Sequence, residues 1–207
     1  MDRVSTIIKI LDARYKKKLA LDYVSDPFDI LISTIISQRT KDEVTIETTH
    51  RLLKKFPTPK KLAAASEKQI AELIYPAGFY RQKSPKIKAV AEHVSKNGVP
   101  DTIDGLLELP GVGRKTANCV LSYGFKKQVI AVDTHVHRIS NRLGWVKTKN
   151  PDQTEFDLQK IVPKAKWRLV NSLLVSFGQE ICKPIHPKCL ECPIKSLCPS
   201  AKSSTSD

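Results

Sequence analysis

Apolar residues recur at helical spacing along almost the whole of this 207-residue chain, and nowhere do they alternate with polar ones long enough to build a sheet. Val4, Ile7, Ile8 and Leu11 mark a first helix. Pro27 opens a second, in which Leu31, Thr34, Ile35 and Gln38 fall on one stripe and Ile32 and Ile36 on another. A helix apolar over so much of its surface belongs in a core. Asp42 is expected to cap a third helix, carrying Val44, Ile46, Leu52, Leu53 and Phe56. Ser66 and Gln69 have the spacing of a capping box. Pro85 is expected to open a helix that Asn97-Gly98 closes, and Asp133 one that Gly144 ends. Residues 151–161 and 166–181 read as two more. The run Val129-Ile130-Ala131-Val132 is the one strand candidate, too short to anchor a sheet. About ten short helices with loops of ordinary length make an all-α protein. The serine-rich end, residues 203–207, reads as low in complexity and disordered.

The stretch Leu109-Pro110-Gly111-Val112-Gly113-Arg114-Lys115-Thr116-Ala117 joins two of these short helices. Pro110 stops the first, lacking an N–H and disfavouring α geometry at Leu109. Gly111 and Gly113 permit positive φ and close backbone approach. The second helix begins near Gly113 with free N–H groups, an end suited to an anion. A plain helix stop and restart is one reading. A phosphate-binding P-loop is another, but the preceding strand is missing and Gly113 is followed by Arg114. A DNA-binding helix-hairpin-helix, with Arg114 and Lys115 at its rim, is the third.

Charge favours the third. The formal net charge is +14 and the pI near 9.6, which points to an anionic partner, nucleic acid first. The start of the chain has no signal-peptide core, and no apolar run approaches the ~18 residues of a membrane span. A soluble cytoplasmic protein, nucleoid-associated if prokaryotic, is expected.

Of five cysteines, four crowd into Cys182-x6-Cys189-x2-Cys192-x5-Cys198, interleaved with Pro184, Pro187, Pro193 and Pro199. Such a loop has too little core to hold itself without a cross-link. In a chain without a signal peptide it reads as a metal site before a disulfide set. Spacing alone leaves zinc and a four-iron cluster both open. Cys119, with apolar neighbours Val120 and Leu121, reads as a buried structural thiol.

Three motifs in order carry a resemblance. Leu-Pro-Gly-Val-Gly-x-Lys-Thr-Ala resembles the hairpin of the endonuclease III family of DNA glycosylases, Val132-Asp133-Thr134-His135 matches the aspartate that follows it there, and the four-cysteine loop matches the family's iron–sulfur loop. Gly78-Phe79-Tyr80 followed by Lys83 adds a weaker match. The resemblance spans residues 22–200. It implies two helical domains flanking a DNA-binding cleft: a six-helix barrel over 20–127 that contains the hairpin at about 102–123, and a domain of 1–19 with 128–207 that holds a [4Fe–4S] cluster on Cys182, Cys189, Cys192 and Cys198. It also implies a monomer that binds duplex DNA containing a damaged or abasic nucleotide. Contacts to that DNA are expected from Gln38, Arg39, Phe79, Gly111, Gly113, Arg114, Lys183, Lys188 and Lys195.

The implied chemistry is bifunctional: excision of oxidised pyrimidines by base flipping, then strand cleavage through a lysine Schiff base and β-elimination. Lys115 is the expected nucleophile. At a reference pKa of about 10.4 only roughly one lysine in 2,500 is a free amine at pH 7, and a helix start beside Arg114 disfavours the ammonium. Asp133 is the expected acid–base and electrostatic partner, beside its role as a cap. Two alternatives stand: a monofunctional mismatch adenine or thymine glycosylase, against which Lys115 argues, and a non-catalytic DNA-binding protein with a zinc loop, against which the Lys115–Asp133 pair argues. Ser37-Gln38-Arg39-Thr40-Lys41-Asp42 departs from the family's Gln-Thr-Lys-Asp: Arg39 takes the glutamine's position and Gln38 has its chemistry. Gln38 is expected to fill the gap left by the flipped base, with Arg39 on the backbone. His135 and His137 read as hydrogen-bonding residues, Arg138 as partner to a carboxylate or phosphate, and Trp145 and Trp167 as core.

Overall fold

The computed structural model describes residues 2–15 and 24–203, and among them every regular element is helical. The boundary expected at 19–20 and the low-complexity residues 204–207 lie outside the described residues. The chain divides into two compact units, Lys18–Lys127 and Met1–Lys17 with Gln128–Asp207. No described helix is long and apolar enough to cross a membrane.

The unit Lys18–Lys127 is built on a helix that fixes its own ends. Asp26 accepts from the Phe28 N–H at 2.8 Å and Pro27 takes the first turn of α2 (Pro27–Ser37). Every residue from Ile30 to Ile36 is buried, as the all-round apolar pattern requires. Around it pack α3 (Asp42–Lys55), α6 (Tyr80–Asn97) and α8 (Arg114–Cys119), the last running on into a π-helical turn, Val120–Gly124. The unit is completed by α4 (Pro59–Ala63), α5 (Glu67–Ile74) and α7 (Ile103–Leu107). The Ser66–Gln69 capping box forms as its spacing predicts.

Two local expectations change. Asp42 is the first helical residue of α3, and Lys41 takes the cap position with no side-chain bond. α6 begins at Tyr80, so Pro85 lies inside it. A proline normally marks a helix start, because it costs one backbone bond further in. Here the helix is launched from Phe79 in the left-handed conformation, φ 56°, a choice set by contacts remote in sequence.

The other unit gathers α1 (Arg3–Arg14), α9 (Thr134–Arg142), α10 (Pro151–Ile161) and α11 (Trp167–Glu180) around one core, with α12 (Pro199–Ser203) following the cysteine loop. Ile7, Leu11, Val136, Ile139, Leu158, Leu174 and Phe177 are all at or near zero exposure within it. The run 129–132 forms no regular element and no strand. Its Ala131 carbonyl accepts from Asn171 Nδ2 at 2.9 Å inside the core. Trp145 is buried and Trp167 packs against the same core, as expected of both.

Candidate active site and nucleic-acid interface

The hairpin closes through a tight turn in which the Val112 N–H donates to the Leu109 carbonyl at 3.1 Å, with both side chains buried beneath it. Gly111 has φ +80°, the left-handed region that favours glycine, and a Cβ there would displace only the flexible side chain of exposed Lys86. Gly113 differs from expectation. Its φ is −95° and its surroundings are open, so it needs no left-handed freedom; it serves as the N-cap of α8, with no side chain closing the end. The start of α8 thus has no side-chain cap from Gly113, and Arg114 and Lys115 stand there half-buried. Cys119 is fully buried, as a structural thiol should be.

Next to the hairpin, in the same unit, lies the turn that ends α2. Gln38 Nε2 donates to the Gly111 carbonyl at 3.0 Å and reaches Thr116 Oγ1 at 3.5 Å. The carboxamide expected to fill the stack is thus bonded to the hairpin. Arg39 is exposed, takes φ 52°, and lays its guanidinium 5.5 Å from the ring centroid of Phe79, which is itself half-exposed. These residues open onto a cavity of about 240 Å³ lined by Gln38, Arg39, Phe79, Gln82, Lys83 and Lys86. Behind it Lys83 is buried, and burial lowers its pKa from the ordinary lysine value to about 8. The motif Gly78-Phe79-Tyr80-x-x-Lys83 flagged this lysine, but nothing in sequence marks it as buried.

Asp133 belongs to the other unit. It caps α9, its Oδ1 accepting from the Val136 N–H at 2.8 Å. The cap fixes the carboxylate at a half-buried helix start. One turn on, the Arg138 guanidinium donates to the Cys182 carbonyl at 2.8 Å and lies 3.1 Å from His135 Nδ1. Arg138 thus holds a backbone oxygen, and the Asp133 carboxylate also acts on its charge. His137 Nδ1 bonds Thr154 Oγ1 at 2.7 Å. A Cβ on Gly178 would collide with His135 Nδ1, so α11 packs hard against this helix.

Cys182, Cys189, Cys192 and Cys198 are each half-buried and line a single cavity of about 140 Å³ with Phe177, Ile181 and Ile194. Arg142 braces its rim, donating to Lys183 and Pro184 carbonyls at 2.7 and 2.8 Å and lying 3.5 Å from Cys182 Sγ. Burial raises the Cys192 thiol, and the other three cysteines push it the same way. Among the described residues no three Cys, His, Asp or Glu side chains are near enough to share one ion. Lys183 and Lys188 are exposed on the loop and Lys195 half so.

Residues 32–164 match the family described as HhH-GPD superfamily base excision DNA repair protein. Over 177 residues the chain is 51% identical to Endonuclease III of Thermotoga maritima, covering 84% of this chain and 83% of that protein. It is similar to the structure of a non-covalent Endonuclease III–DNA complex, with TM-score 0.90 and 31% identity over 100% of both chains. A trapped Endonuclease III–DNA covalent intermediate, in an estranged-adenine complex, gives TM-score 0.86 and 32% identity over 99% of each chain.

Proposed function

The chain belongs to the HhH-GPD superfamily of base excision DNA repair proteins and, within it, to the endonuclease III family of DNA glycosylases with AP lyase activity, and we propose that Lys115 and Asp133 carry that activity on oxidised pyrimidines. Its partner is damaged duplex DNA.

The chemistry starts with a nucleotide turned out of the stack, since C1′ is out of reach inside a duplex. The Lys115 amine forms a bond to C1′ as the bond to the base breaks, and the base leaves with a proton. The adduct loses a proton, opens the sugar ring and becomes a Schiff base. That imine acidifies C2′–H; its loss expels the 3′ phosphate, and water releases the lysine. Asp133 supplies the carboxylate that accepts the amine proton and offsets positive charge building on the sugar. The capping bond holds this carboxylate in one orientation.

The observation that carries the reading is the likeness over 99% of the chain to a protein trapped covalently on DNA, in a chain whose hairpin bears a lysine at the start of α8. Sodium borohydride with an oxidised-pyrimidine duplex tests it. The wild type should be trapped covalently, while Lys115→Ala should bind the duplex and give no adduct. An undiminished adduct in that variant moves the nucleophile elsewhere.

We assign a [4Fe–4S] cluster to Cys182, Cys189, Cys192 and Cys198. Four half-buried thiols line one cavity of about 140 Å³, and a set of four thiolates is the donor set that such a cluster takes. Such a group supplies a cross-link to a proline-rich loop that has little core of its own. The loop in turn offers Lys183, Lys188 and Lys195 to phosphate, as the hairpin offers Gly111, Gly113 and Arg114.

A further inference from the structure

Lys83 has no part in the reaction just described, yet it is only 4% exposed. Its ammonium donates to three uncharged oxygens: the Ile36 and Gln38 carbonyls, both at 2.6 Å, and Thr40 Oγ1 at 3.0 Å. Two of these belong to the C-terminal end of α2, where unpaired carbonyls and the negative end of the helix dipole favour a cation. Ending a helix does not by itself require a buried charge, since a glycine does it at less cost.

What the lysine adds is a link between two turns. Thr40 Oγ1, which Lys83 bonds, also accepts from the Gly78 N–H at 3.1 Å. A Cβ on Gly78 would strike the Arg39 carbonyl, so the two backbones lie in contact. One nitrogen therefore fixes the turn 38–40 against the turn that leads into α6. Directly outside this contact stand Arg39 and Phe79, both in the left-handed region at φ 52° and 56°, with guanidinium over ring. Neither is glycine, and such a conformation persists only where its surroundings hold it.

We propose that Lys83 is a positioning residue for the duplex-specific part of the reaction, holding Arg39 and Phe79 in the arrangement that enters the stack where a nucleotide has been turned out; this rests on the glycosylase reading above. Turning a nucleotide out of a duplex costs unstacking that an inserted side chain can offset, and that cost is least in a single strand. Lys83 should thus matter for one substrate and not the other.

The test compares Lys83→Met, which keeps length and loses the ammonium, with the wild type on one oxidised pyrimidine in a duplex and on an abasic site in a single strand. Single-turnover excision from the duplex should fall roughly ten-fold or more, with single-strand cleavage within about two-fold of wild type. Thr40→Val, which removes the shared hydroxyl on a surface turn, should show the same pattern more weakly and keeps the test open if Lys83→Met does not fold. In an Arg39→Ala background, Lys83→Met should cost little more, because the element it holds is gone. Wild-type duplex excision in both Lys83→Met and Thr40→Val, or equal loss on both substrates, overturns the inference. A wild type inactive on every damaged duplex instead overturns the reading beneath it.

Discussion

Gln38 Nε2 donates to the Gly111 carbonyl at 3.0 Å, and this one bond ties the end of α2 to the hairpin. With it we propose different duties for neighbours that sequence could not separate. Gln38 braces the hairpin turn, and Arg39 is left to stack on Phe79. Arg39→Ala should therefore lose activity mainly on duplex substrates and change its dependence on the opposite base. Gln38→Ala should weaken binding to every duplex by loosening the hairpin. Assays over duplexes differing in the opposite base check both. If Gln38→Ala alone shows the first pattern, glutamine fills the stack as its chemistry suggests.

Asp133→Asn keeps the capping oxygen and removes the charge. Asparagine caps as well as aspartate, so melting temperature should change little. Base release should fall by roughly 10² or more, as loss of a proton-transfer group typically gives, with duplex affinity retained. Turnover equal to wild type would leave Asp133 with its cap alone.

Much of this was legible because the signals are local. Ser66 and Gln69 announce a capping box three residues apart, and Asp133 announces a helix start in the same way. The four cysteines name a metal loop by crowding, but their spacing around a cavity is a tertiary fact. Lys83 is the reverse case. A lysine in a lysine-rich chain reads as surface, and its acceptors lie 43 to 47 residues away. Phe79 launching α6 was hidden for the same reason, since the contact of Gly78 with Arg39 that bends the chain there joins residues far apart in sequence.

Anaerobically purified protein should be brown and hold iron and acid-labile sulfide. Chelation of the iron should melt the loop at 182–198 before the rest of the unit, because Phe177 and Ile181 belong to a core that the other helices also supply. Hydrogen exchange of the loop amides, with and without chelator, reads this directly. Zinc at one per chain, from cells supplied with iron, would replace the cluster.

Affinity for undamaged duplex should fall linearly as log salt rises, with a slope of about 0.9 for each phosphate neutralised. Lys183→Ala and Lys188→Ala should each lower that slope by about one and weaken binding alike on every sequence. A slope unchanged in both variants would take the cysteine loop out of the interface.

Lys83 has a pKa of about 8 in the folded protein, against ~10.4 for an unfolded lysine. Burial is the cause, and the charged side chains lining its cavity, Arg39 and Lys86, are both cations that offer no relief. Below about pH 8 both states carry the proton. Between about 8 and ~10.4 the folded protein releases it while the unfolded chain keeps it, so the unfolded state binds more protons and the stability owed to this group rises with pH. Wild type should thus gain stability relative to Lys83→Met as pH climbs through that window. Function should move the other way. A neutral amine has two N–H bonds for the three oxygens of Ile36, Gln38 and Thr40, so one acceptor is lost and the turn beneath Arg39 loosens. The ratio of duplex to single-strand activity should fall between pH 7.5 and 9 in wild type, roughly two- to five-fold on this linkage, and stay flat in Lys83→Met. The single-strand reaction should hold or rise over the same range, because a lysine nucleophile gains free amine with pH. A ratio that falls equally in Lys83→Met would trace the effect to some other titrating group.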